Sequence, residues 1–82
     1  MPQGDFSNKH WRFLAALYRM TNAQTDILVA AKEVAEEANI SDAEEEAVSR
    51  HLKHLGLIEL HWPLSTNVAI TDKGIQTIEE GS

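Results

Sequence analysis

The sequence has no cysteine among its 82 residues. This absence excludes disulfide bonds, thiol catalysis and zinc sites built on cysteine. Long apolar runs are missing as well, because no stretch approaches the roughly 20 residues that a membrane-spanning helix needs. The first ten residues lack the basic and then apolar segments of a signal peptide. We therefore expect a soluble, cytoplasmic protein with no membrane partner.

Basic residues are scarce, with seven Lys and Arg against thirteen Asp and Glu and a net charge of −6. A DNA duplex carries about one negative charge per 1.7 Å of its axis, so an acidic domain is repelled at long range. DNA binding would therefore need a local basic patch. The length and a hydrophobic fraction of 43% favour a single globular domain. We place this domain at residues 8–80, after a mobile tail at residues 1–7.

Apolar residues at helical spacing predict a first helix over residues 8–20. Residues 27–29, "ILV", are either a short strand or the approach to the next helix. The second helix is predicted over about residues 30–38. Asn39 follows it, and asparagine tolerates the left-handed conformation that ends many helices.

Residues Ser41 to Glu44 have the S-x-x-E pattern of a capping box, which predicts the start of a third helix. Gly56 ends it. Helical spacing divides its side chains between two faces. We expect an inward stripe of Ala47, Val48, His51, Leu52 and Leu55, and an outward face of Glu45, Glu46, Ser49, Arg50, Lys53 and His54.

The remainder of the chain predicts a β-hairpin and a short helix. "LIELHW" alternates apolar and polar residues, with Trp62 continuing the apolar side, and "VAIT" reads as the returning strand. "PLSTN" between them has the composition of a turn. Thr71 can cap a last helix that carries Ile75 and Ile78.

This order of elements resembles the winged helix-turn-helix family of small bacterial and archaeal transcription regulators. The segments that carry the resemblance are "EVAEEANIS", "VSRHLKHLGLIEL" and "VAITDKG", and together they cover about residues 9–80. The resemblance implies an α+β, mainly α, fold with a three-helix core, a two-stranded β-wing and a short C-terminal helix. It also implies binding of double-stranded DNA by the third helix of a homodimer.

Three features depart from the family pattern. Either the third helix begins with an extra turn or the loop before it is longer; this segment is the acidic "DAEEE"; and the wing tip "WPLSTN" has no Lys or Arg. A structural role explains the acids, because the positive end of the helix dipole favours negative charge by about 0.3–1 kcal/mol per residue. Glu46 and Arg50 are also spaced for an ion pair along the helix.

Two hypotheses of function follow. In the first, a transcription regulator reads duplex DNA, because Arg can fork to guanine while Ser, Lys and protonated His can bind phosphates. Its candidate DNA-binding residues are Ser49, Arg50, Lys53 and His54 on the third helix, Lys32 on the second, and Ser65, Thr66 and Asn67 in the wing. In the alternative, the domain binds a protein partner and no DNA, through Glu44, Glu45, Glu46 and Leu64.

Catalysis and metal binding find little support. His51, His54 and His61 lie near one another in the sequence, but no further ligand completes a metal site. The chain has no glycine-rich phosphate loop and no nucleophile in a recognisable setting. We expect neither an enzyme nor a cofactor.

Overall fold

The computed structural model describes residues 8–61 and 67–81. In this part of the chain the elements are α1 (Asn8–Met20), β1 (Val29–Ala30), α2 (Ala31–Glu37), α3 (Asp42–His54), β2 (Ile58–His61), β3 (Asn67–Ile70) and α4 (Asp72–Gly81). The predicted helices are confirmed, with α2 starting and ending one residue inside its expected range. Among the described residues, no helix combines the length and apolar character that crossing a membrane requires.

The strands form one antiparallel sheet in the order β1-β3-β2. β2 and β3 make the predicted hairpin, with pairs that run from Ile58 and Ile70 to His61 and Asn67. The expectation of a two-stranded sheet is wrong, because β1 from the "ILV" segment pairs with the other side of β3. A strand of two residues is too short for alternation to reveal it.

The core is built from the inner faces of the helices and the sheet. On α1 it takes Phe13, Leu14 and Leu17, which are fully buried, while Trp11 and Tyr18 pack at its edge. Its other residues are Ala16, Ala31, Val34, Ala35, Ala38, Ile40, Val48, Leu52, Leu57, Ile58, Val68, Ile70 and Ile78. Helix α1 therefore supplies both the centre of the core and part of its edge.

A tight corner sets the direction of α3 relative to α2. Asn39 has a φ of 61°, as its position after the helix predicted. Ile40 is buried, and its amide donates to the Ala35 carbonyl at 2.8 Å. The corner therefore turns the chain through a left-handed residue and anchors it with an apolar side chain.

The end of α3 is tied to the beginning of α4. The Thr71 hydroxyl accepts the Gly74 amide at 3.0 Å, which confirms Thr71 as the cap of α4, and it donates to the Gly56 carbonyl at 2.7 Å. Lys73 donates to the Leu55 carbonyl at 3.0 Å. These bonds occupy carbonyls that the C-terminus of α3 leaves without partners inside the helix.

Candidate nucleic-acid interface

The capping box at the start of α3 is present as the sequence predicted. The Glu44 amide donates to the Ser41 hydroxyl oxygen at 3.3 Å, and that hydroxyl donates to the Glu44 carboxylate at 3.2 Å. Lys9 of α1 forms an ion pair with the same carboxylate. The hydrogen bond from Lys9 is the main cause that lowers the pKa of Glu44 below its ordinary value. Glu44 is therefore directed at α1.

Two other acids in the first turns of α3 also contact residues of the same chain. Asp42 lies 3.9 Å from the ammonium of Lys32 on α2. Glu45 accepts a hydrogen bond from the Ser49 hydroxyl at 3.2 Å. Together with Glu44, these acids contact groups of the same chain, as the structural explanation of the acidic segment requires.

Ser49 does not lie on the outward face, and the expectation that it does is wrong. Its side chain is buried, with 2% of the residue exposed. The hydroxyl also donates to the Glu46 carbonyl at 3.1 Å, one turn back along the helix. A serine can bond to its own helix in this way, which removes the need for contact with water. Ser49 is therefore not available to a duplex.

We define the outer face of α3 as the exposed stripe around Arg50, which consists of Ala43, Glu46, Ala47, Arg50, Lys53 and His54. Asp42 is exposed as well, in the first turn beside Lys32 of α2. Ala47 was expected inside and is exposed instead. The C-terminal half of this face carries Arg50, Lys53 and His54, which line a shallow depression together with Leu60 of β2. The expected exposure of these three side chains is confirmed.

Glu46 is the acid that does share this face. Its carboxylate accepts a hydrogen bond from the Arg50 guanidinium at 2.8 Å, and the two side chains are 69% and 67% exposed. An exposed pair at this spacing contributes about 0.2–0.5 kcal/mol to the helix. Lys53 and His54 form no ion pair with any described residue, so they keep their donors for a ligand.

The basic residues of α1 are engaged elsewhere. Arg12 donates to the Ala38 carbonyl at the end of α2, at 3.0 Å. Arg19 lies 3.5 Å from Glu37. Sequence reasoning missed both contacts, because they join residues that are far apart in the chain. The basic charge of α1 therefore stabilises the helix packing, and the patch on α3 is a separate feature.

The remaining candidates are divided between the sheet, α2 and the undescribed part of the chain. Asn67 begins β3, is half-buried, and pairs with His61 on one side and Ala30 on the other. Lys32 is exposed on α2 beside Asp42, as described above. The other wing candidates, Leu64, Ser65 and Thr66, lie outside the described residues, as does Trp62, which was expected to continue the apolar side of the strand.

The histidines form a pair that the sequence did not suggest. The rings of His10 on α1 and His51 on α3 meet edge to face, with centroids 4.5 Å apart. Burial, followed by the neighbouring His51, lowers the pKa of His10 below its ordinary value. His61 lies instead beside Glu59, at 3.5 Å. Within residues 8–61 and 67–81, no cluster of three His, Asp or Glu has the arrangement of a metal site.

No protein family model matches this chain, and no curated protein matches its sequence. Solved structures do share its fold. One is BpsR of Bordetella bronchiseptica, described for the regulation of its DNA binding by 6-hydroxynicotinic acid, with a TM-score of 0.80 and 20% identity. Another is MepR, a transcription regulator of the Staphylococcus aureus multidrug efflux pump MepA, with a TM-score of 0.76 and 20% identity.

These similarities show that the chain has the winged-helix fold that its sequence predicted. The alignments cover 98% and 95% of this chain but only 55% and 56% of BpsR and MepR. The chain therefore spans about half the length of these regulators. At 20% identity the similarity shows the fold alone.

Proposed function

We propose that this chain is a winged-helix domain that binds double-stranded DNA as part of transcription regulation, with the outer face of α3 in the major groove. The observation that carries the proposal is the exposed row of Arg50, Lys53 and His54 on the helix that this fold presents to DNA. The descriptions of BpsR and MepR as a DNA-binding protein and a transcription regulator agree with it.

Each residue of the row has a distinct role in the proposal. Arg50 forks to a guanine edge, Lys53 binds a phosphate as a point charge, and His54 donates to a phosphate or a base. Lys32 contacts the DNA backbone from α2. Its ion pair with Asp42 is exposed and 3.9 Å long, so little free energy is lost when a phosphate replaces the carboxylate. Ser65, Thr66 and Asn67 remain proposed backbone contacts of the wing, while Ser49 leaves the set because it is buried.

The net charge of −6 limits affinity without preventing contact. Exposed charges more than about 8–10 Å apart are largely screened at physiological ionic strength. Glu44 already binds Lys9, so it presents less free negative charge to a duplex. The charge close to the proposed contact is therefore dominated by the C-terminal half of α3.

The alternative of a protein-interaction module gains no support from the structure. Of its proposed contacts, Glu44 and Glu45 bond to Lys9 and Ser49 of the same chain, and Glu46 is exposed but pairs with Arg50. A basic partner would have to displace these bonds. Leu64, its apolar contact, lies outside the described residues. We keep this alternative as an outcome of the experiment below.

Binding of the chain to a labelled duplex should be followed by fluorescence anisotropy over a range of salt concentrations. Lys53→Ala should weaken binding and reduce the slope of log affinity against log salt by about 0.9, the value for one phosphate contact. Arg50→Ala should cost about 1–3 kcal/mol on a preferred sequence. Arg19→Ala is the control, because it removes the same charge from α1, outside the proposed contact.

Two results would contradict the proposal. In one, the unmodified chain shows no salt-sensitive affinity for any duplex at low ionic strength. In the other, Arg19→Ala weakens binding as much as Lys53→Ala, so that net charge and not the outer face of α3 governs binding. The first result would favour the protein-interaction alternative. The expected homodimer stays a prediction.

A further inference from the structure

We infer that Glu46 determines part of the DNA sequence preference, by accepting a hydrogen bond from the N4 amino group of a cytosine beside the guanine that Arg50 contacts. This inference rests on the function proposed above. It starts from Glu46, the carboxylate that shares the exposed stripe of α3 with Arg50, one turn away. An acid at a phosphate-binding position would weaken binding, so its place on this face needs an explanation.

The other acids of the segment are accounted for by contacts within the chain. Asp42 and Glu44 pair with lysines on α2 and α1, and Glu45 accepts from the buried Ser49. Glu46 differs because it lies one turn before Arg50 on the exposed stripe and is 69% exposed itself. Helix stability alone does not require this position, because Asp42 and Glu44 already complement the helix dipole.

The chemistry of the Glu46–Arg50 pair fits two base edges. Arg50 uses one guanidinium nitrogen for the bond to Oε2 of Glu46 at 2.8 Å. A guanidinium has five N–H donors, so others remain for O6 and N7 of guanine. Oε1 of Glu46 accepts no hydrogen bond from a described residue and can take one from cytosine N4, which is a donor in the major groove. The ion pair thereby holds the guanidinium and the carboxylate on the same face of α3, where both can reach base edges.

The spacing of the pair agrees with that of stacked base pairs. Residues four apart on a helix are separated by about 6 Å along its axis. Bases follow one another every 3.4 Å along each strand, so the pair reaches bases one or two steps apart. The small side chains of Ala43 and Ala47 flank Glu46 on the exposed stripe. They leave room for the helix to approach the base edges, and a thymine methyl group could pack against either of them.

Glu46 would also exclude alternatives. A carboxylate repels phosphates and finds no donor on guanine, whose major-groove edge carries only acceptors. Replacement of the preferred cytosine should therefore reduce affinity by about 5- to 150-fold, the range for loss of one good base contact. Removal of the carboxylate should have the opposite effect on non-preferred sequences and tighten binding to them.

The test is a binding selection from a randomised duplex library with the unmodified chain, Glu46→Gln and Glu45→Gln. Glu45→Gln is the matched control, because it makes the same charge change on the neighbouring residue, whose side chain faces Ser49. We expect a preferred cytosine one or two base pairs from a guanine for the unmodified chain and for Glu45→Gln. Glu46→Gln should shift the preference at this one position from cytosine towards adenine, because a glutamine amide both accepts from N6 and donates to N7 of adenine. It should also bind other sequences more tightly, because the negative charge is removed.

The outcomes separate this inference from the proposed function. If the unmodified chain binds duplexes in a salt-sensitive way but selects no cytosine, or if Glu46→Gln keeps the same preference, Glu46 does not read a base and the DNA-binding proposal stands. If Glu45→Gln and Glu46→Gln change the selection equally, the effect is one of net charge and the inference is wrong. If no duplex is bound at low salt, both proposals are wrong.

Discussion

The close approach of α4 to the beginning of β2 makes Gly74 a position where any side chain should destabilise the fold. A Cβ on Gly74 would lie 2.3 Å from the Leu57 carbonyl oxygen and 2.9 Å from Cγ1 of Ile70, whereas ordinary contact begins at 3.4 Å. The carbonyl is backbone and also accepts the Thr71 amide at 3.2 Å. To restore ordinary contact, α4 would have to retreat by about 1 Å.

The expected effect of Gly74→Ala is opposite in sign to the effect of helix propensity. Alanine is favoured over glycine inside a helix by about 1 kcal/mol. Overpacking of a filled site costs about 1–3 kcal/mol, and weakening of the hydrogen bonds at Thr71 adds about 0.5–1.5 kcal/mol. The net loss in the free energy of unfolding should be about 1–3 kcal/mol. For a domain of this size, each kcal/mol lowers Tm by about 4–8 °C.

Urea denaturation followed by circular dichroism measures this loss directly. The control is Gln76→Ala, which raises helix propensity at an exposed position of the same helix. It should change the free energy of unfolding by less than about 0.5 kcal/mol. If Gly74→Ala is as stable as the unmodified chain, or more stable, then α4 does not pack against Leu57 as closely as described.

Three further predictions concern the contacts of α3. Ser41→Ala should lower the free energy of unfolding by about 0.5–2 kcal/mol in urea denaturation, because it removes the cap; no measurable loss would contradict this role. Because the pKa of His10 is lowered in the folded chain, the unfolded chain binds a proton at this histidine at a higher pH than the folded chain does. The free energy of unfolding should therefore fall as the pH drops through 6.5. His10→Gln should flatten this part of the pH profile, and an unchanged profile would refute it. Below pH 4.5, protonation of Glu44 should release Lys9 and add a second loss.

The parts of the fold that the sequence predicted are those governed by neighbouring residues. The cap at Ser41 and the left-handed Asn39 depend on two to four positions of the chain, and both are present. The Glu46–Arg50 pair has the same local origin. The exposure of Lys53 followed from helical periodicity in the same way.

The sequence could not show features that depend on how distant segments pack. The ion pair of Lys9 with Glu44 joins residues 35 positions apart, so the spacing of charges along the sequence does not reveal it. Helical spacing assigned Ser49 to the outward face, but the packing of α3 buries it, and its hydroxyl bonds to Glu45 and to the Glu46 carbonyl of its own helix. β1 has only two residues, and its pairing with β3 depends on the tertiary fold.

The central position of β3 means that the wing and α2 cannot be adjusted independently. Asn67, where the chain returns from the wing tip, pairs with His61 on one side and with Ala30 on the other. Ala30 directly precedes the first residue of α2. A displacement of β3 would therefore also move the start of α2, and a displacement of α2 would move the hairpin. The spacing between the hairpin and the start of α2 is thus fixed by a few backbone hydrogen bonds across one short strand.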